Sequence, residues 1–477
     1  MRRTLTLFFL VLVLTLGSFG VVSALLIGQE DQVRFSETVT YGDPAVADDL
    51  ILHQSLNFDN RLFWEIDYDL GNPPLSEARF TCFPVEQPRI GNIVYSGLSL
   101  ESTAFSNRAN EAIESSTPSE NPANRAFQEL FEQTAPGQEK TALIRTADYY
   151  DYYPIWVFID HANLNVTFET GLYYTHAEGE AKESRMAIVD FFRIPVLEEE
   201  MTEISIARSE DGSIWSTSSG GATGDSYQLW TWSVNSEDSC YCIVNPKSVQ
   251  GQVMDFSQIP GGYGIYRLYI GPEEPEENRY YPDQVVLEPV EMVFPLDPQH
   301  DTLHFTLSYS GEELLLLTNE DESVWLTVIS LDDHTPLQRL ELSGNSDWGQ
   351  LIVREDLILA DLGDRYELLL DTGDGSYYHE MTARPQWYGP TDLGSYGLGG
   401  VDSGIIWDGT KLAVSTRLWI QDGLYSRNCG FTLSVFDREK LLYQSYGLNS
   451  LGGEPYQSQY SIMRSEAGKP ILRWKEE

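Results

Sequence analysis

Four consecutive short segments carry the fold signal: Leu303-His304-Phe305-Thr306-Leu307-Ser308-Tyr309-Ser310, Leu314-Leu315-Leu316-Leu317-Thr318, Val324-Trp325-Leu326-Thr327-Val328-Ile329-Ser330-Leu331 and Leu337-Gln338-Arg339-Leu340-Glu341-Leu342. Each is rich in branched, aromatic or alternating apolar residues that suit a pleated surface. The residues between them, such as Gly311-Glu312 and Asp332-Asp333, are turn formers. Four strands within about 40 residues predict an antiparallel meander, which is the period of one propeller blade. Leu351–Arg354, Leu357–Asp361, Tyr366–Asp371 and Tyr377–Met381 repeat the plan. So do Ile405–Trp407, Lys411–Ser415, Phe431–Phe436 and Leu441–Tyr446, with Arg417–Cys429 expected to be a longer middle loop. One such sheet cannot bury both of its faces, and stacking copies solves that problem.

The hairpin Val324–Asp333 followed by Pro336–Leu342 resembles the strand hairpins of bacterial β-propellers. Trp407-Asp408-Gly409-Thr410-Lys411-Leu412-Ala413-Val414 resembles them too. The resemblance covers residues 300–450 best and is to an architecture, not to a family with one activity. The repeated Gly-His and Trp-Asp signatures of WD40 repeats are absent: no Gly-His occurs, and Trp-Asp occurs once, at Trp407-Asp408. Counting backwards places blades at 48–100, 141–196 and 202–256, with 260–300 broken up by Pro272, Pro275, Pro282, Pro289, Pro295 and Pro298. The expected fold is all-β, a propeller of about seven four-stranded blades, with six or eight also compatible with the spacing. Stacked β-sandwich domains are the alternative. Tyr460–Arg464 and Pro470–Trp474 make half a blade, which Val33–Thr40 or Leu50–Leu56 is expected to complete, with Trp474 in its core.

Further strand signals lie at Arg61–Tyr68, Ile155–Ile159, Asn165–Tyr174, Ala187–Val196, Glu203–Ala207, Tyr227–Val234 and Tyr263–Ile270. Helical periodicity stands out once. Asn121-Pro122 opens a helix to about Gln133 with Phe127, Leu130 and Phe131 on one stripe. The domain reading is a membrane segment over 1–28, first strands and a blade over 29–100, a polar insertion with that helix over 101–140, and the remaining blades over 141–477.

Arg2 and Arg3 precede an uncharged apolar run from Leu5 to Ile27, and Glu30 and Asp31 follow it. That order keeps the amino end in the cytoplasm and exports the rest. The length suits an uncleaved transmembrane anchor, so the membrane is the expected partner through residues 5–27. A secretory signal cleaved near Ala24, after Val22-Ser23, is the alternative. Cys82, Cys240, Cys242 and Cys429 then allow disulfides in three pairings, or remain buried thiols. Cys240 and Cys242 share a strand face, but no nearby His or Cys completes a metal set. His300 and His304 have helical spacing inside a strand-like stretch, so they need not share a face. No metal or cofactor is expected.

Asp371-Thr372-Gly373 resembles the catalytic loop of aspartic proteases, yet Asp374 follows it and no second copy exists, so a tight turn is expected. Ser209-Glu210-Asp211-Gly212-Ser213-Ile214-Trp215 resembles the Asp-box turn of sialidase-like propellers, with one residue fewer before the Trp. Asp67-Tyr68-Asp69-Leu70-Gly71-Asn72 lacks the spacing of a calcium loop and reads as a turn. Asn165-Val166-Thr167 matches a glycosylation acceptor. Tyr149-Tyr150-Asp151-Tyr152-Tyr153 and Tyr280-Tyr281 read as aromatic packing before sugar or peptide stacking. No catalytic residue is nominated.

Acidic residues outnumber basic ones 73 to 30, a net charge of −43, which argues against nucleic acid as a partner. The reading is an extracytoplasmic binding or sensing module with a protein or glycan partner. A carbohydrate-active hydrolase or lyase with funnel carboxylates, and a structural envelope protein, are the alternatives. Self-repulsion at −43 is expected to be relieved by counterions, so the melting temperature should rise in about 0.5–1 M salt. A melting temperature that stays flat or falls with salt shows that the acids are compensated locally.

Overall fold

The computed structural model describes residues 14–18, 20–22, 24–25, 28, 33–58, 62–70, 77–81, 97–102, 105, 110–160, 179–223, 225–227, 229–236, 239–269, 288–342, 344–373, 375–390, 393–395, 404–422, 425–451, 454–455, 460–463 and 471–475. They form two compact units. One joins residues 1–91 to residues 346–477, and the other is the contiguous middle, 92–345. Both are built mainly from antiparallel sheets.

The discontinuous unit contains a four-strand meander of Gln350–Val353, Leu357–Asp361, Tyr366–Asp371 and Tyr377–Ala383. A second sheet runs Leu412–Asp422, Tyr425–Phe436, Leu441–Leu451 and then Val33–Gly42, so its last strand comes from the other end of the chain. A third sheet runs Glu77–Thr81, Leu62–Asp69 and Leu50–Phe58, and its edge is closed by Tyr460–Met463 and Leu472–Trp474, both paired to Leu50–Phe58. The expected half-blade is thus completed by Leu50–Phe58, and Val33–Gly42 completes a different sheet. Sheets stack through apolar layers. Ile352, Leu359 and Leu368 meet Leu412, Val414 and Phe436, and Leu50, Leu52, Trp64 and Ile66 meet Phe431, Leu433 and Tyr443. Two glycines permit the close pairing of the second sheet. A Cβ on Gly42, which has φ +82°, would overlap the Leu442 carbonyl, and one on Gly430 would overlap that of Gly447.

The contiguous unit holds two meanders. One is Thr231–Asn235, Ser239–Val244, Gly264–Tyr269 and Glu291–Pro295. The other is Asp301–Leu307, Glu313–Glu320, Ser323–Ser330 and Pro336–Leu342. Glu139–Arg145, Met201–Arg208 and Ile214–Thr223 make a three-stranded sheet, and Gly97–Ser102 pairs with Ile155–Asp160. The helix Pro122–Glu132 is capped by Asn121, whose Oδ1 accepts from the Ala123 and Asn124 amides. Its Ala123, Phe127 and Leu130 pack on Ile204 and Ile206. A second helix, Asn110–Glu114, lies in the same 101–140 stretch and buries Ile113.

Several expectations change. Ala187–Val196 is not a strand: its first half ends the helix Gly179–Phe191. Glu180, Ala181, Lys182, Glu183, Arg185 and Met186 are strong helix formers, and Ile188 and Phe192 bury one face at i,i+4 spacing. Arg417–Cys429 is not a long loop, because the strands Leu412–Asp422 and Tyr425–Phe436 run through it as one hairpin with a bulge at Leu418/Trp419. The blocks 141–196 and 202–256 do not form separate sheets, since Met201–Arg208 pairs with Glu139–Arg145. Gly97–Ser102 belongs to the middle unit rather than to the first blade. The proline-rich stretch 260–300 contributes two meander strands, with Pro295 as the last residue of the edge strand Glu291–Pro295. Asp67 and Asp69 lie in a strand, not in a turn. Asn165–Tyr174 lies outside the described residues.

Leu472 is buried and Trp474 only partly so, which moves the centre of the closing contact from Trp474 to Leu472. Leu472→Ala should therefore cost about 2–5 kcal/mol, and Trp474→Ala less than the roughly 3–5 kcal/mol typical of a core aromatic. Deleting Gln457 to Glu477 should lower the denaturant midpoint of the full chain, because it uncovers the edge of Leu50–Phe58. An unchanged midpoint identifies the tail as dispensable.

Candidate functional site

The middle unit contains a pocket of about 360 Å³ above one face of the 301–342 meander. Strand register builds its floor. Leu316 pairs with Thr327, which pairs with Arg339, and Thr302 pairs with Thr318, which pairs with Trp325. The period of two puts Leu316, Thr318 and Glu320 on this face. The opposite wall comes from the neighbouring meander and its exit: Tyr263, Phe294, Pro295 and Leu296. Asp297 caps the following turn by accepting from the Gln299 amide at 2.9 Å, and that turn delivers His300.

Glu320 gathers the polar end. Its carboxylate, 12% exposed, accepts from Thr318 Oγ1 at 2.6 Å, lies 3.2 Å from His300 Nδ1 and is ion-paired with Arg339. The Arg339 guanidinium also sits 4.3 Å over the Trp325 ring. Tyr263 is 6% exposed, and its hydroxyl makes no full hydrogen bond. Thr302 approaches it without closing one, and burial pushes the phenol's pKa up. The pocket thus combines apolar walls with a few convergent polar groups, the ordinary make-up of a small-molecule site.

Two other titratable clusters lie in the discontinuous unit. His53, 5% exposed, places Nδ1 2.6 Å from Asp67 and Nε2 2.8 Å from Glu65, and Arg473 from the chain's end sits 3.2 Å from Asp67. Burial by itself would lower the pKa of His53, but the two carboxylates reverse that and raise it. Glu367 is fully buried and accepts from Arg365 Nε at 3.1 Å, His379 Nε2 at 2.7 Å and Thr382 Oγ1 at 2.6 Å. Burial would raise its pKa, and the bonds from His379 and Thr382 together with the nearby positive charges lower it instead. Each cluster matches its own charges and fixes cross-strand register.

The residues singled out from sequence separate. His300 reaches the pocket, while His304 is a partly buried strand residue with an unpartnered Nδ1. Cys240 and Cys242 are free and buried, and burial pushes the Cys240 thiol up to about 12. Asp371 caps a tight turn by accepting from the Gly373 amide at 2.6 Å, and Asp211 does the same for Ser213 at 2.9 Å. Trp215, beside that second turn, is 79% exposed. Tyr149 and Tyr150 pack edge-on to Phe105, Tyr153 is buried, and Tyr152 is the exposed member. Among the described residues no group of three His, Cys, Asp or Glu side chains is placed to hold a metal ion. Cys82, Asn165 and Tyr280-Tyr281 lie outside the described residues, as does the Cys429 side chain. Sequence reasoning missed Tyr263, Glu320 and Arg339. The polar alternation Thr318-Asn319-Glu320 at the end of a leucine run is the one local signal that pointed there.

No family model and no curated protein matches the chain. Similar solved structures include a putative 6-phosphogluconolactonase from Bacteroides fragilis, at 11% identity, 85% of this chain, 99% of that one and a TM-score of 0.29. The Swd1 β-propeller domain of Myceliophteria thermophila matches at 11% identity, 65% and 87% coverage and a TM-score of 0.25. Kluyveromyces lactis Hsv2 with a replaced loop matches at 7% identity, 45% and 65% coverage and a TM-score of 0.21, so the chain spans just under two thirds of it. These likenesses include propellers and carry no activity. The meanders seen directly carry the architecture.

The two histidines give opposite pH signatures. His53, raised when folded, stabilises at pH below the usual value near 6.5, and that contribution is lost as pH rises through its folded pKa. His304, lowered to about 4, penalises the fold as pH falls from its usual 6.5 towards 4. Unfolding midpoints measured from pH 5 to 9 should show the loss at high pH vanish in His53→Gln and the loss at low pH shrink in His304→Gln. Curves parallel to wild type in either variant contradict the assignment.

Proposed function

We propose that the chain is an extracytoplasmic β-propeller-like binding module, tethered by its amino-terminal segment, that holds a small ligand in the pocket beside the 301–342 meander. The observation that carries the binding reading is the convergence of Glu320, Arg339 and His300 on one cavity with apolar walls. Three meanders and two edge-completed sheets among the described residues support the propeller architecture, with about seven blades as the sequence reading.

The tether rests on residues 5–27. Among the described part, 14–18, 20–22 and 24–25 are helical, and Leu14, Leu16, Val21 and Leu25 are each more than 60% exposed. An apolar helical surface of that kind suits lipid or a protein face. No helix among the described residues is long and apolar enough to cross a membrane.

Two measurements test the proposal. The full chain made in a bacterial host should stay in the membrane fraction through a high-salt wash and keep Met1, whereas a soluble form starting near Leu25 removes the tether. A mixed set of small aromatic acids, amides, alcohols and amines should give saturable single-site binding in ligand-observed NMR. Pro336→Trp, at an exposed position on the pocket rim, should abolish that binding without shifting the melting temperature. Binding that is indifferent to this variant places the site elsewhere.

A further inference from the structure

His300 sits at the polar end of the cavity, and its tautomer follows from its neighbour. Nδ1 lies 3.2 Å from Glu320 Oε2. Glu320 is ion-paired with Arg339 and accepts from Thr318 Oγ1 at 2.6 Å, so both of its oxygens are engaged. An ionised carboxylate only accepts, so Nδ1 carries the hydrogen. In the neutral ring Nε2 then holds a lone pair. The two ring nitrogens diverge, so Nε2 points away from Glu320. It has no partner among the described residues. Nor is it shut off from solvent, in contrast to His304 Nδ1, which is buried and unpartnered. His300 thus offers an accessible acceptor on a ring that lines the cavity.

On the reading that this pocket is the binding site, we infer that it takes a small uncharged phenol or alcohol with an apolar body, the hydroxyl donating to His300 Nε2 and the body resting on Phe294, Pro295, Leu296 and Leu316. A ligand that displaces water from Nε2 must replace the hydrogen bond that water donated. A hydroxyl does so, whereas an ether or a bare hydrocarbon does not. Charge argues for a neutral ligand. Arg339 and Glu320 cancel as a pair, and the other charged side chain on the wall is Asp297, an acid at an exposed position. An anion finds no uncompensated cation there and meets Asp297. An ammonium would lie beside Arg339, and its attraction to Asp297 is screened by water. Free sugars are disfavoured by the walls, where apolar side chains would cover hydroxyls that they cannot pair.

The test uses the full chain in detergent with four probes built on one ring: para-ethylphenol, its methyl ether, para-ethylbenzoate and para-ethylbenzylamine. The titrations are run at about pH 8, where a phenol keeps its proton. Calorimetry should show the phenol binding about tenfold more tightly than the ether, the worth of one hydrogen bond whose acceptor is otherwise left unpaired, and more tightly than the acid or the amine. His300→Asn keeps an N–H near the place of Nδ1 for Glu320 and removes Nε2. It should bring the phenol down to the level of the ether and leave the ether unchanged. His300→Gln, which extends an amide to about the place of Nε2, should restore part of the preference, and this separates a lost acceptor from a lost fold. An ether equal to the phenol, an acid or amine that binds best, or a preference that survives His300→Asn overturns the hydroxyl assignment while the pocket stands. Failure of all four probes, or binding unaffected by Pro336→Trp, overturns the pocket reading and the assignment together.

Discussion

Antiparallel pairing between the two ends of the chain is the constraint on which the discontinuous unit depends. Val33–Gly42 lies along Leu441–Leu451, and Leu50–Phe58 lies along Tyr460–Met463 and Leu472–Trp474. Without these pairs two sheets would present unpaired edges, and the layer that joins Leu50 and Trp64 to Leu433 and Tyr443 would lose one of its faces. Arg473 and Asp67 meet although they stand 406 positions apart. The entropy cost of closing so long a loop grows only logarithmically, so a short ladder plus an apolar layer can offset it. Folding rate is affected more than stability, because contacts this distant form late.

Sheets buried on both faces explain the texture of the sequence. Ser239–Val244, Leu314–Leu317 and Leu357–Asp361 are buried at every position, so they read as continuous apolar runs instead of alternating ones. Edge strands such as Pro336–Leu342 and Tyr377–Ala383 alternate, because one side meets water. The acidic excess is placed accordingly. Asp211, Asp297, Asp371, Asp408 and Asp437 sit in turns and accept from backbone amides two residues on, which converts net charge into turn geometry.

What the sequence revealed follows from the range of each interaction. The meanders of residues 301–383 were legible to within three residues at every strand end, since adjacent strands pair through short turns and local pattern specifies both partners. The helix at Pro122 was legible because its cap and its stripe are local. The pairing of Glu139–Arg145 with Met201–Arg208 was not, because a helix and another strand intervene and either strand suits several partners. Gly179–Phe191 was misread because Ile188, Val189, Phe191 and Phe192 carry strand propensity, and the helix formers before them outweigh it. Of the pocket only His300 stood out. Glu320 and Arg339 meet because of register across strands, and Tyr263 comes from another sheet, so no linear spacing announces the site.

Electrostatics at two ranges meet in that pocket. A net charge of −43 repels a free carboxylate from a distance, but screening confines the repulsion to roughly 8 Å at physiological ionic strength. Inside the cavity the field is set by near groups. Glu320 holds Arg339 in place and is itself quenched by three donors, so the outward edge of the guanidinium keeps positive character in an otherwise acidic protein. The Trp325 ring beneath the guanidinium restrains it further and limits the side-chain entropy lost when a ligand arrives.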